Sequence, residues 1–273
     1  MDFPFSNCIA SAENFSVRQV AELLEYHNSM TYILLNLQRF EEEMQKFAEK
    51  KGVAHYLATR EQDNFTRFTS DKRKKEWLGG RFAAKFAAAG ALVQNGNPLP
   101  WSGLAVLADA NGRPFLAAAT KSSVLPDISI SHSGSMAAAM AVSKGLCGID
   151  IQKVTERVVK VRERFCTPEE EHIIQSFFKA PHEKQSAALT KLWAAKEALR
   201  KAANTNSLPG FLELELTEIN KGSPYRDSAP WRFVFMWKHV DLHGDPVNER
   251  CRVAVGLIAD YALALTARND IVG

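Results

Sequence analysis

Along the first fifty residues, Val20, Leu23, Leu24, Met30, Ile33, Leu34, Leu37 and Phe40 recur at three- and four-residue spacing, the period of an amphipathic helix. This predicts helix from about Ser16 to Lys51, split in two at Asn28-Ser29. A further helix is predicted after the N-cap residue Ser70, through Trp77 and Lys85. Gly79 and Gly80 within it each cost a helix roughly 1 kcal/mol and therefore suggest a close backbone contact. Beyond Pro98 and Pro100 the pattern shortens to strands: two apolar runs about the hairpin pair Asn111-Gly112, then "ISISHSGSMAAAMAVS" and "GLCGIDIQ". Thr167-Pro168-Glu169-Glu170 reads as a capping box opening a helix that carries Ile173, Ile174 and Phe177. A strong helix, "ALTKLWAAKEALRKAA", follows, and then the strand-like segments "LELELTEI", "WRFVFMW", "CRVAVGLI" and "YALALTA".

The order helix, then strands, thus occurs twice. Overlaying the two tryptophan-bearing helices sets Trp77, Arg81 and Lys85 against Trp193, Glu197 and Lys201. The turn "NGRP" is echoed at Asn220 to Pro224, and "MAAAMAVS" by "YALALTAR". The expected class is α+β, with two similar half-domains: residues 1–144, bearing a helical N-terminal extension, and residues 145–273. Ligands favour clefts between domains, so the chemistry is expected near that division.

Composition narrows the function. The 273 residues are 46% hydrophobic and carry 34 basic against 31 acidic side chains, a balance that gives no ground for a nucleic-acid partner. Cys8, Cys147, Cys166 and Cys251 show no zinc-ligand spacing and no disulfide framework. The chain contains no run of about 18 apolar residues, and its first residues lack the basic and apolar regions of a signal peptide. It reads as a cytoplasmic protein with no membrane association.

Within "GIDIQ", the strand period puts Ile149 and Ile151 on one face and Asp150 with Gln152 on the other. A lone aspartate there is more often an edge or turn carboxylate than a metal ligand. Glu197 and Lys201 stand four apart on a helix, where an ordinary exposed pair is worth only about 0.3–0.5 kcal/mol. Taken together, Asp150 and Glu197 suffice for Mg²⁺, which takes one or two protein carboxylates plus phosphate oxygens and water; Gln152 can add a neutral oxygen. Ser131-His132 suits contact with an anion, although such a pair is more often a turn serine and a part-buried histidine. No GxSxG pattern supports a serine hydrolase. Arg113, Arg81 and Lys85 are candidate cations for phosphates, the latter two on a face with Trp77, whereas the run Lys72 to Lys75 reads mostly as a solvated surface.

In this order, "GRPFL", "SISHSG", "GIDIQ", "RFCTPEEE" and "WAAKEALRKA" resemble the signature motifs of the 4'-phosphopantetheinyl transferase superfamily, best its larger pseudo-dimeric, monomeric, surfactin-synthetase-activating type. The resemblance runs from about Lys72 to Ala202. It implies two α+β halves about a pseudo-twofold axis, with coenzyme A and Mg²⁺ between them. The implied reaction moves the phosphopantetheine arm of coenzyme A to a serine of an acidic apo acyl or peptidyl carrier protein and releases 3',5'-ADP. By position, Asp150 and Glu197 would hold Mg²⁺ with the pyrophosphate and Lys201 would assist the leaving group. Since a hydroxyl is a poor nucleophile until its proton leaves, Glu197, directly or through a metal-bound water, is the candidate base. Lys196 matches the motif lysine before the glutamate, Ser131 and His132 match coenzyme A contacts, and Arg113 stands where lysine is common. Arg81 and Lys85 match nucleotide-phosphate positions. The sequence departs from the family at Gln152, where many members are acidic, and at the helical N-terminal stretch, where mixed strands are expected. Two other classes stay open at this point. A silent coenzyme A or carrier-protein binding module would show no Mg²⁺-dependent turnover, and a metal-dependent phosphohydrolase would release product without a carrier.

Overall fold

The first helix, α1 (Val17–Leu24), is opened by a capping box between Ser16 and Gln19 and closed by Glu25 in the left-handed region, at φ 54°. The run Met30–Asn36 then forms a strand, β1, where the sequence predicts helix. The physical reason is that Met30, Tyr32, Ile33, Leu34 and Leu35 are all buried, so apolar residues crowd both faces and helical spacing among them is incidental. β1 pairs antiparallel with β5 (Met136–Val142), from Met30 against Val142 to Asn36 against Met136. Helix resumes as α2 (Leu37–Ala48), where Gln38 and Arg39 donate their N–H groups to Asn36 Oδ1. The N-terminal stretch is therefore mixed, and the expected departure from the family there is corrected.

This computed structural model describes residues 5–12, 15–48, 56–94, 101–118, 124–178, 184–203, 208–222, 229–240 and 245–269. The chain forms two compact units, one drawn from Met1–Ser11, Asn28–Cys147 and Val272–Gly273, the other from Ala12–His27 and Gly148–Ile271. In the first, α4 (Asp71–Gln94) packs on the sheet β1-β5-β4, with β4 spanning Asp127–Ser133. Gly79 and Gly80 make room for the Leu37 and Ile130 side chains rather than for another backbone. The hairpin of β2 (Leu104–Ala108) and β3 (Pro114–Ala118) turns through a loop longer than the predicted two-residue turn. There Asp109 Oδ1 accepts from the N–H groups of Asn111 and Arg113, and Gly112 takes φ 82°.

The second unit holds β6 (Leu146–Lys153), the short α5 (Arg157–Lys160), α6 (Pro168–Phe177), α7 (Gln185–Lys201), β7 (Leu214–Lys221), β8 (Trp231–Val240), β9 (Pro246–Ile258) and β10 (Tyr261–Arg268). Its sheet order is β6-β10-β9-β8-β7, and α7 lies across β10 and β9. The predicted echo of the first hairpin turn at 220–224 falls partly outside the described residues. All four cysteines are buried and free, and among the described residues no helix is long and apolar enough to cross a membrane.

The duplication expected from sequence is present, and one buried network marks it in each unit. In the first, Glu61 of α3 (Thr59–Phe65) accepts from the N–H of Ala58 at 2.9 Å and of Val106 at 3.0 Å, and pairs with Lys85 Nζ at 2.6 Å. Lys85 also donates to Tyr56 O at 2.8 Å. In the second, Glu170 accepts from the N–H of Thr167 at 2.9 Å and of Leu216 at 2.7 Å and pairs with Lys196 Nζ at 2.7 Å, which donates to Phe165 O at the same distance. All four side chains are fully buried. Lys85 is thus the counterpart of Lys196, not of Lys201, and the sequence overlay shifts by five positions.

Removing one partner of a buried pair leaves an uncompensated charge, so Lys85→Met and Lys196→Met should each cost about 3–5 kcal/mol. Denaturant unfolding of both variants checks this, and a loss below about 1 kcal/mol, the range of an exposed pair, would show that these lysines are not committed to the core.

Candidate active site

Gly148 sits where β6 passes under α7. A Cβ at this position would fall inside contact distance of the Ala198 carbonyl and within 3.2 Å of Ala202 N, so strand and helix meet backbone to backbone. Asp150 is two residues further along β6 and therefore faces α7 as well. It is 2% exposed. Lys201, at the end of α7, donates to Asp150 Oδ1 at 2.7 Å and to Ile149 O at 3.0 Å. Glu197, one turn earlier, is part-buried. Burial first, and the charge of Asp150 second, raise its carboxyl above the ordinary 4.5, with Arg200 and Lys201 opposing. Arg200 approaches Glu197 Oε1 at 3.3 Å. The structure thus brings Asp150, Glu197 and Lys201 together.

Three other anticipated ligands have different surroundings. Lys85 and Lys196 are held inside their units by Glu61 and Glu170, which corrects the reading of Lys85 as a phosphate contact and of the motif lysine Lys196 as a cofactor-binding residue. Helical geometry supplies the reason for Lys85: eight residues on from Trp77 the helix has rotated its side chain away by about 80°. Lys196, next to Glu197, points about 100° from it. Arg113 pairs with Asp127 at 2.6 Å, and Asp127 also accepts from Cys147 N, so this guanidinium is engaged in joining the hairpin to β4.

Arg81 lies instead in an open groove of about 400 Å³ in the first unit, walled by Phe68, Trp77 and Ile130 and bordered by Arg73, Gly112 and His132. Its guanidinium is 3.7 Å from the Trp77 ring centre, and its Nε is buried with no hydrogen-bond partner among the described residues. Burial lowers the group to about 10, so it stays charged at neutral pH. His132 is exposed at the groove, whereas Ser131, its neighbour on β4, is buried.

The corrected overlay puts Phe86 in the place of Glu197 and Gly90 in that of Lys201. Gly90 faces Thr31 of β1, as Lys201 faces Asp150 of β6. The first unit therefore has the framework of the carboxylate site without its charges. Two contributors were not anticipated from sequence. Gly148 carries the signal of a glycine inside a strand. Arg200 carries none, since a basic residue in the last helical turn is ordinary.

The donor set fits Mg²⁺. Two hard carboxylates lie near enough for one to raise the proton affinity of the other, and Gln152, part-buried, lies two residues beyond Asp150 on the strand. Among the described residues no group of three or more His, Cys, Asp or Glu is arranged to hold a metal ion; Mg²⁺ needs only one or two protein carboxylates and completes its shell with phosphate oxygens and water. Because α7 cannot approach β6 once a methyl is present, Gly148→Ala should lose about 1–3 kcal/mol or more. It should also weaken divalent-cation binding, measured by isothermal titration beside a stability curve. A variant with unchanged affinity would show that the approach does not set the site.

A sequence model of the 4'-phosphopantetheinyl transferase superfamily matches residues 146–266. The chain is 34% identical over 109 residues to a holo-[acyl-carrier-protein] synthase of Exiguobacterium sibiricum, covering 40% of this chain and 84% of that protein. With the Bacillus subtilis protein of that name it shares 33% over 99 residues, covering 36% and 81%. A crystal structure of a holo-(acyl-carrier-protein) synthase from Bacillus anthracis, in complex with CoA (3',5'-ADP), is 26% identical and covers 41% of this chain and 92% of that one, with a TM-score of 0.34. With two such relatives matched over most of their own length, and a family match that starts in β6 and contains the whole carboxylate site, this chain belongs to the 4'-phosphopantetheinyl transferase superfamily.

Proposed function

We propose that this protein transfers the 4'-phosphopantetheine arm of coenzyme A to a serine of an apo acyl or peptidyl carrier protein, in a Mg²⁺-dependent reaction that releases 3',5'-ADP. The observation that carries the proposal is the cluster of Asp150, Glu197 and Lys201 at the contact of β6 with α7. Asp150 and Glu197 would hold the ion, and Mg²⁺ bound there would neutralise the pyrophosphate oxygens. Gln152, on the same strand face, is the candidate neutral ligand.

In the reaction the carrier serine oxygen forms a bond to the β-phosphorus of coenzyme A while the bond from that phosphorus to the bridging oxygen breaks, releasing 3',5'-ADP. The serine proton needs an acceptor, and Glu197 is the candidate carboxylate. Lys201 keeps Asp150 in place and offsets charge on the departing phosphate. In the first unit, the groove between Trp77, Arg81 and His132 combines an aromatic wall with cations, which suits an adenosine phosphate. Ser131 is the accompanying candidate contact.

The test is incubation with coenzyme A, Mg²⁺ and apo carrier proteins, followed by the intact mass of the carrier. A gain of one phosphopantetheine arm is expected, lost with EDTA. Asp150→Ala and Glu197→Ala should each lower the rate by about 10²-fold or more. Lys201→Ala removes a charge-assisted contact worth about 1.5–3 kcal/mol and should slow turnover roughly 10- to 100-fold. A folded Glu197→Ala variant of normal rate would overturn the assignment.

Stability should show the strain on Glu197 directly. Its raised folded value means that ionisation costs the native state; the cost is absent below the ordinary carboxylate range and complete once pH exceeds the folded value. In EDTA, Glu197→Gln should therefore melt higher than the wild type at neutral pH and alike at pH below the ordinary 4.5. Thermal melts across that range decide it, and equal midpoints at neutral pH would contradict the raised value.

A further inference from the structure

We infer that Arg200 is a positioning residue for the reaction, fixing the Glu197 carboxylate by clamping α7 to the segment Pro209–Phe211. The inference rests on the proposed role of Glu197 at the metal.

Three residues of α7 grip that segment. Trp193 lays its ring on Phe211 with centres 4.8 Å apart, Lys196 Nζ donates to Phe211 O at 3.0 Å, and Arg200 Nε donates to Pro209 O at 2.8 Å. The Arg200 guanidinium also covers the Phe211 ring, 4.4 Å from its centre. With Nε and one face of the plane committed, Nη1 is directed to Glu197 Oε1 at 3.3 Å. Arg200 and Glu197 are only 22% and 23% exposed, so neither swings freely in solvent. A lysine in this place could not do the same work. Its ammonium is a point charge, whereas the planar guanidinium stacks and donates in two directions at once.

Coulomb's law and the clamp give opposite signs for the loss of this arginine. A positive charge beside a metal site opposes the cation, so on charge alone Arg200→Met would tighten metal binding. If Arg200 acts by holding Glu197, the same change loosens the ligand, and outer partners of metal ligands typically contribute at least about tenfold in affinity.

The experiment is titration of the whole protein with Mn²⁺, followed by electron paramagnetic resonance, for wild type, Arg200→Met, Arg200→Lys and Phe211→Leu. Circular dichroism checks that each is folded. The expected result is binding weakened about tenfold in Arg200→Met, with weaker binding also in Arg200→Lys, which keeps the charge, and in Phe211→Leu, which touches neither carboxylate. In transfer assays kcat should fall in these variants while KM for coenzyme A holds. Tighter or unchanged Mn²⁺ binding in Arg200→Met, or, where that variant does not fold, unchanged binding in the other two, overturns the inference alone. A wild type that binds no Mn²⁺ overturns the metal reading of Asp150 and Glu197 and this inference with it.

Discussion

The chemistry of the second unit depends on a glycine that lets a helix lie directly on a strand. Most helix–sheet contacts are cushioned by side chains that can choose another rotamer, but at Gly148 the neighbours are the Ala198 carbonyl and Ala202 N. Backbone against backbone leaves little slack, so the contact at Gly148 fixes the position of α7 over β6. The charged groups follow from that seating. Asp150 shares the strand face of Gly148, and Glu197 and Lys201 flank Ala198 on the helix. Alanine, small and helix-favouring, fills neighbouring positions of the helix: Ala194, Ala195 and Ala198 are completely buried.

A second constraint appears in both units and explains why the seating is rigid. Each buried lysine–glutamate pair ties three segments: the start of a shorter helix, the long helix that follows it, and a strand beyond. Burying two charges is unfavourable unless every lone pair and proton is used, and here the glutamate takes two backbone N–H groups while the lysine takes backbone carbonyls. Lys196 and Glu197 are neighbours in sequence with opposite fates, one sealed in the core and one in the site, because a helix turns by about 100° per residue.

The fold was legible in sequence wherever a pattern had one physical meaning. The capping box at Thr167, the apolar alternation leading to Ser131-His132 and the helix bearing Glu197 and Lys201 each form as their residues dictate. Met30–Asn36 was read as helix because an apolar run buried on both faces satisfies either period; only its pairing with β5 decides. The repeat was visible but its register was not, since tryptophan is a conspicuous landmark and a buried lysine is not. Glu170 shows the same limit: the capping box is legible, whereas its bonds to Lys196 and to Leu216 N depend on segments brought together by folding. Arg200 is silent for a related reason. Its partners, Pro209 O and Phe211, lie beyond the helix in a stretch without periodicity.

The two repeats also show what the site costs. In the first unit the matching positions are Thr31, Phe86 and Gly90, and Phe86 joins the hydrophobic core. In the second, two carboxylates stand close in a part-buried place, and the proton affinity of Glu197 rises in consequence. Nothing in the framework requires that arrangement, because the first unit has the same kind of sheet and helix without it. On the proposed function, its presence in one copy follows from chemistry rather than from folding: two neighbouring carboxylates, with Lys201 and Arg200 beside them, would be a preorganised place for a cation and for a proton in transit. A site of this kind opposes stability locally, and the close seating at Gly148, the buried pair and the Arg200 clamp are the parts of this unit that hold it in place.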